Sequence, residues 1–120
     1  MADAPKDTGL IKDWHAHIYY DPARTKEQAS QVRDWIEQRF AVRMGRMHDV
    51  AVGPHPVAMF QIAFPPEMFP AVVPWLALNR LGLHVLVHPQ SGRPRDDHLL
   101  HAMWLGEKLP LKGDVLPESD

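Results

Sequence analysis

His15 and His17 are separated by a single alanine, in a chain with eight histidines among 120 residues and no cysteine. In a β-strand, residues two apart project from the same face, with Cα atoms roughly 6.6 Å apart. Two imidazoles at that spacing can converge on one ion, and imidazole is a good ligand for iron, zinc and copper. The same spacing also suits a pair of surface or dimer-interface histidines with ordinary hydrogen bonds. Other histidines lie where they would extend a site. His88 ends an apolar run, His55 sits stiffly between Pro54 and Pro56, and His48 and His84 fall in or beside strand-like stretches. His98 and His101 form a polar cluster with Asp97, and being three apart they would share a face if that stretch is helical. Lacking cysteine, the chain has no disulfide, thiolate nucleophile or zinc-thiolate knuckle, so a metal must take nitrogen and oxygen ligands.

Positioning such groups requires regular elements, and the periodicity supplies them. Trp14 to Asp21 alternates as a strand, with Trp14, Ala16, Ile18 and Tyr20 on the packed face and His15, His17, Tyr19 and Asp21 on the other. Asp21-Pro22 ends it. Thr25 is placed to cap a helix from about Lys26 to Arg39, whose Ala29, Val32, Ile36 and Phe40 recur at helical spacing. Residues 42–48 read as a second strand weakened by Gly45, and GPHP as a rigid turn. Val57 to Phe64 is the strongest strand, with Ala58, Phe60, Ile62 and Phe64 inward and Met59 and Gln61 outward. A helix follows from about Glu67 or Met68 to Arg80, with Pro70 in its first turn and Pro74 expected to kink it or shift its start. Leu83 to His88 is the last clear strand, and the remainder reads as a polar loop, HAMWLG and a short end.

The order strand, helix, strand, strand, helix, strand predicts an α+β ferredoxin-like βαββαβ sandwich: a four-stranded antiparallel sheet with two helices on one face. The first strand would be central, between the third and fourth. One domain over residues 13–112 is expected, with a flexible arm at 1–12 and a tail at 113–120. The helix-free face would carry His15, His17, Met59, Gln61, His84 and His88, a set too polar for a second core layer. His15 should approach His88. His84, His48 and the GPHP loop should lie toward the opposite end, so one tight cluster of all the histidines is not expected.

Composition narrows the function classes. A net charge of −2 with scattered basic residues argues against nucleic acid. The polar start is no signal peptide, and the apolar runs are too short to span a bilayer, so the cytoplasm is the expected compartment and no membrane partner is expected.

The segments HAHIYYD, GRMHDVAVGPHP, MFQIAF, WLALNRLGLHVLVHP, DDH and HAMWLGEKLPL, taken in order, resemble the DOPA 4,5-dioxygenase family from about Trp14 to Leu111. The resemblance implies a ferredoxin-like fold and extradiol cleavage of a catechol such as L-DOPA by O2, using non-haem Fe(II), to a muconic semialdehyde. Carried over, the family's histidine motifs fall on His15, His17, His48, His55, His88 and His98. No carboxylate sits obviously beside the His15/His17 pair, so an all-histidine metal shell of His15, His17 and His88 is expected, with Fe(II) as the ion and zinc or nickel as substitutes. His48, His55 and His98 become the acid-base groups, since imidazole titrates near working pH. Tyr19, Gln61, His84, His101 and Arg93 become candidate substrate contacts. The chain departs from the family's pattern at SGRPRD, in the expected substrate loop. Two other functions fit the residues: a non-catalytic dimeric module that binds a small aromatic or a partner chain on its open sheet face, and a zinc-dependent hydrolase. A homodimer is expected because a small open sheet face gains from pairing.

Overall fold

The computed structural model describes residues 4–120, so residues 1–3 of the expected arm lie outside the described residues. Five strands, β1 (Asp13–Tyr19), β2 (Arg43–Met44), β3 (Met59–Phe64), β4 (Val85–Gln90) and β5 (Met103–Leu105), form one sheet in the order β2-β3-β1-β4-β5. Every pairing is antiparallel. Three helices accompany it: α1 (Lys26–Arg39), α2 (Phe69–Asn79) and the short α3 (Pro94–Leu99). The architecture is an α+β ferredoxin-like sandwich with β1 between β3 and β4. The count of four strands and two helices is corrected to five and three, because α3 and β5 form in the segment read as loop and tail.

The main core follows the period-two reading. Ala16, Ile18 and Tyr20 of β1 and its extension join Phe60, Ile62 and Phe64 of β3 and Val85 and Val87 of β4. Against them lie Ala29, Val32 and Ile36 of α1 and Val72 and Leu76 of α2. Complete burial of each large apolar side chain contributes about 1.5–3 kcal/mol. Pro74 lies inside α2 without ending it, and Pro70 occupies its first turn. The missing Pro74 N–H removes one bond, to the Pro70 carbonyl near the helix start, while the buried Val72 and Leu76 hold the rest. Thr25 stands at the N-cap of α1, but its hydroxyl accepts the Asp21 N–H at 2.7 Å rather than a helix N–H. The second strand shrinks to two residues and resumes only as a bridge between His48 and Met59.

The sheet face opposite α1 and α2 carries a second, smaller core, which corrects the expectation that it is too polar for one. Tyr19, Met59 and Leu86 are buried there beneath Val52, Ala102, Trp104, Leu109 and Leu111. These covering residues come from the loop after His48 and from the chain after α3. Leu109 and Leu111 cross back over the sheet, and the Lys112 N–H bonds the Pro54 carbonyl at 2.8 Å, tying the two covering segments together. Among the described residues no helix is long and apolar enough to cross a membrane.

Candidate metal centre

The centre is built from the register of β1 and β4. His15 lies directly opposite His88 across the antiparallel pair, and His17 stands two residues farther along on the same face. One nitrogen from each of His15, His17 and His88 falls within 4.8 Å of the others. His17 Nε2 and His88 Nε2 are 3.0 Å apart. On the other flank of β1, Gln61 of β3 pairs with His17, so its half-buried side chain shares that face.

Two further imidazoles close over this group. The loop of residues 49–58 folds across the open face and sets the His55 ring 4.2 Å from that of His17. His98 of α3 lies 3.8 Å from His88, ring centre to ring centre, at a tilt of 33°. Five histidines therefore converge where three were expected. His55 does not lie toward the far end of the sheet. Its loop crosses the face, and the turn bond from the His55 N–H to the Val52 carbonyl holds the crossing.

Hydrogen bonds fix the tautomers. A carbonyl only accepts, so Nδ1–H of His88 donates to the Pro89 carbonyl at 2.9 Å and Nδ1–H of His98 donates to that of Pro94 at 2.7 Å. In the neutral rings both Nε2 atoms are then bare lone pairs. His55 Nδ1 is 2.7 Å from the Tyr19 hydroxyl. Burial pushes the Tyr19 phenol up, so it stays protonated and able to donate.

The electrostatics keep the imidazoles neutral. Burial, then the neighbouring rings of His55, His88, His98 and His15, hold His17 well below the ordinary imidazole range. Burial first and the nearby His98 second bring His88 down to about 3. Burial, then His98 and His48, bring His55 down to about 4. His98 and His15 are lowered mainly by burial, with Asp97 and Asp13 respectively pulling the other way. Neutral imidazole is the metal-binding form.

The donor set fits a divalent ion. His17 Nδ1 is buried and has no hydrogen-bond partner among the described residues. A buried imidazole nitrogen without a partner is costly in a packed protein unless a ligand compensates. Nitrogen ligands of this kind suit iron, zinc, nickel or copper.

The remaining expected site residues divide between other places. His48 bridges to Met59 and lies near enough to act on His55, but its ring packs against none of the five. His84 accepts the Glu107 N–H on Nδ1 at 2.9 Å and lines a cleft of about 530 Å³ with Tyr19, Asp21 and Asp49. Arg93 and His101 line a second cleft of about 590 Å³ with Lys6, Trp14, Pro89 and Asp97. Trp14 and Pro89 are register partners on the face opposite His15 and His88, and none of the five clustered histidines lines this second cleft.

The His84 bond leads to a stability prediction. Gly106 has φ +82°, and a Cβ there would lie 2.6 Å from His84 Nδ1. Gly106→Ala must both strain the backbone and displace the His84 ring from the Glu107 N–H. A loss of about 1–3 kcal/mol is expected, read as a lower urea midpoint.

Asp13 was missed in the sequence. It lies on the β1 face of His15, with its carboxylate 3.8 Å from His15 Nε2, and it pairs with Arg43. The signal was available: Asp13 extends the same alternation by one step, and only the assumed strand start at Trp14 hid it.

Residues 14–115 match the model of the Dopa 4,5-dioxygenase family. The chain is 42% identical over 119 residues to an "Uncharacterized 21.2 kDa protein" of Botryotinia fuckeliana, with 89% of this chain and 64% of that protein covered. It is 35% identical over 115 residues to a DOPA 4,5-dioxygenase of Amanita muscaria, covering 89% of this chain and 50% of that protein. The chain thus spans roughly half to two thirds of these curated relatives. It is also similar to the crystal structure, at 1.46 Å resolution, of a "putative dioxygenase" from Nostoc punctiforme, with a TM-score of 0.90 and 45% identity over 92% of this chain and 96% of that one.

Proposed function

Because this chain belongs to the Dopa 4,5-dioxygenase family, we propose that it cleaves the ring of a catechol in the extradiol manner, using O2 and a non-haem Fe(II) held by His15, His17 and His88. The single observation that carries this reading is the convergence of those three neutral histidines on one point of the open sheet face. Bound there, Fe(II) supplies Lewis acidity that favours the catecholate form of the substrate and an electron route from ring to dioxygen.

The chain's own groups handle the protons. His98 is held by its Nδ1–H on Pro94, so its bare Nε2 is the group we assign to remove a catechol proton. His55, bonded to the protonated Tyr19 hydroxyl and with its ring 4.2 Å from that of His17 and 6.4 Å from that of His98, is placed to return one. His48, bridged to Met59 and outside the group of five rings, remains a further candidate acid-base group. Burial keeps the His98 and His55 rings neutral at neutral pH, so His98 can accept at Nε2, while His55, whose Nδ1 accepts from Tyr19, carries its own proton on Nε2. The covering layer of Val52, Trp104, Leu109 and Leu111 excludes water from one side. His15, 18% exposed at its side chain, is the most open of the three proposed ligands, so substrate approaches from its edge. Arg93 and His101, in the cleft lined by Trp14 and Pro89, remain candidate contacts for an anionic group on the catechol's side chain, while Gln61 lies beside His17. An L-DOPA-like catechol meets this description. A homodimer also belongs to this reading; the partly exposed Met103 on the edge strand β5 and the exposed Leu99 and Leu100 beside it support it, and native mass measurement tests it.

The test is oxygen uptake. Protein purified without air and loaded with Fe(II) is expected to consume one O2 per catechol and to yield a yellow product carrying both oxygen atoms. Loaded protein that consumes no oxygen with any catechol of a broad panel would refute the reading.

A further inference from the structure

We infer that Asp97 is a positioning residue: its buried carboxylate, clamped onto Ser91, holds the ring of His98 against His88. The inference rests on the dioxygenase reading for its catalytic consequence, but the geometry it concerns can be measured without turnover.

Asp97 is 1% exposed, and both of its oxygens are committed. Oδ2 accepts the Ser91 N–H at 2.8 Å, and Oδ1 accepts the Ser91 hydroxyl at 2.6 Å. Ser91 follows His88 by three residues, just beyond the end of β4, and Asp97 immediately precedes His98. The pair of bonds therefore joins the strand that carries one imidazole to the helix that carries the other. Asp97 is also not among the side chains whose ligand atoms converge, which are His15, His17 and His88.

The short helix needs such a clamp. A segment of six residues, Pro94–Leu99, does not hold helical structure by itself in water. Apolar burial does little for it, since Leu99 is 43% and Leu100 71% exposed. Its anchors are polar. On one side stands the Asp97–Ser91 clamp. On the other, the Arg95 guanidinium donates to the carbonyls of Gly113 and Leu116, and its backbone N–H donates to that of Pro117. The Arg95 contacts tie the helix to the following chain. Among the described residues, the hydrogen bonds that tie it to the segment following His88 are the two from Ser91 to Asp97. Charge-assisted bonds on a buried carboxylate are strong and directional, which suits them to fixing a ring position.

The experiment compares Asp97→Asn, Asp97→Ala and Ser91→Ala with the parent protein. In metal-free protein, proton NMR reads the through-space contact between the His88 and His98 rings, whose centres are 3.8 Å apart. With Fe(II) loaded, iron content, kcat and KM are measured. Asparagine can accept the Ser91 N–H and donate to its hydroxyl, so Asp97→Asn should keep the ring contact and most of kcat. Asp97→Ala should lose the ring contact, bind iron as the parent does, and lose about 100-fold in kcat with little change in KM, the usual cost of a displacement near 1 Å. Ser91→Ala, which keeps one of the two bonds, should fall between and carries the test should Asp97→Ala not fold. Retention of the ring contact and kcat in Asp97→Ala, or in Ser91→Ala if it stands alone, would overturn the inference. So would an Asp97→Asn protein as impaired as Asp97→Ala. If the ring contact is lost as expected but no protein, parent included, consumes oxygen, the positioning role stands and the dioxygenase reading falls.

Discussion

His17→Leu is expected to bind no stoichiometric metal and to cleave no catechol, yet to unfold no more readily than the metal-free parent. The two halves of this result have one cause. His17 is 3% exposed, is ringed by His15, His55, His88 and His98, and carries a buried Nδ1 with no partner among the described residues. In the metal-free fold that nitrogen is a desolvated polar atom, costing about 1–3 kcal/mol. Leucine has similar bulk, adds no polar atom, and sits on a face that already buries Tyr19, Met59 and Leu86. Its one liability is His88 Nε2, which loses the His17 partner at 3.0 Å. The functional loss is far larger. Changing a residue that merely supports a metal ligand costs 10–100-fold in affinity or activity, and His17 is itself a proposed ligand, so the activity should fall by more than about 100-fold. Metal analysis after dialysis, a thermal melt of the metal-free protein and an oxygen electrode check the three parts. A variant that binds metal and turns over would remove His17 from the centre.

Metal-free protein should lose stability on acidification from near neutrality, and added divalent metal should delay the loss. The sign follows from the histidines. Their folded-state values are depressed, His88 to about 3 and His55 to about 4, against 6.5 in the unfolded chain. Between those limits the unfolded state binds more protons than the folded one, so unfolding free energy rises with pH there. The stability is fully present above about pH 6.5 and is lost as pH falls toward the folded values. At about pH 5 His88 alone removes roughly 2 kcal/mol, and His55 a similar amount. Together they make up a large share of a small domain's usual margin. Urea unfolding at a series of pH values reads the slope directly. His17→Leu should show a shallower slope than the parent, because a ring that burial holds well below the ordinary imidazole range is gone. A metal-free parent equally stable at pH 7 and pH 5 would mean that these rings are not buried together as neutral groups.

Much of this architecture was legible because strands write their faces into a period of two. Trp14, Ala16, Ile18 and Tyr20 alternate against His15, His17 and Tyr19, and antiparallel closure then sets His15 opposite His88. The elements that complete the site have no such signature. The 49–58 loop is stiffened by Gly53, Pro54 and Pro56, yet nothing in those residues says that it crosses the sheet rather than leaving it. Its path is decided by Val52 burying against Tyr19 and Leu86, and by Lys112 bonding Pro54. Helix α3 is six residues long, begins at a proline, and follows Gly92, so its sequence reads as a loop until Asp97, Ser91 and Arg95 are seen to hold it. Strand β5 is three residues long and pairs only with the far edge of β4. These are tertiary outcomes of particular long-range bonds, which single-residue patterns do not encode. Asp13 is the opposite case, a residue whose alternation was present and whose place was lost to a strand boundary set one position late.

The most direct measurement is a crystal structure of the Fe(II)-loaded protein with a catechol bound in the absence of oxygen. The account predicts one iron bonded by a nitrogen from each of His15, His17 and His88, the two catechol oxygens on the same iron, and His98 Nε2 within hydrogen-bonding distance of one of them, with the Asp97–Ser91 clamp intact. Iron bound elsewhere, or a catechol seated in the cleft beside His84 with the five imidazoles still packed together, would contradict it.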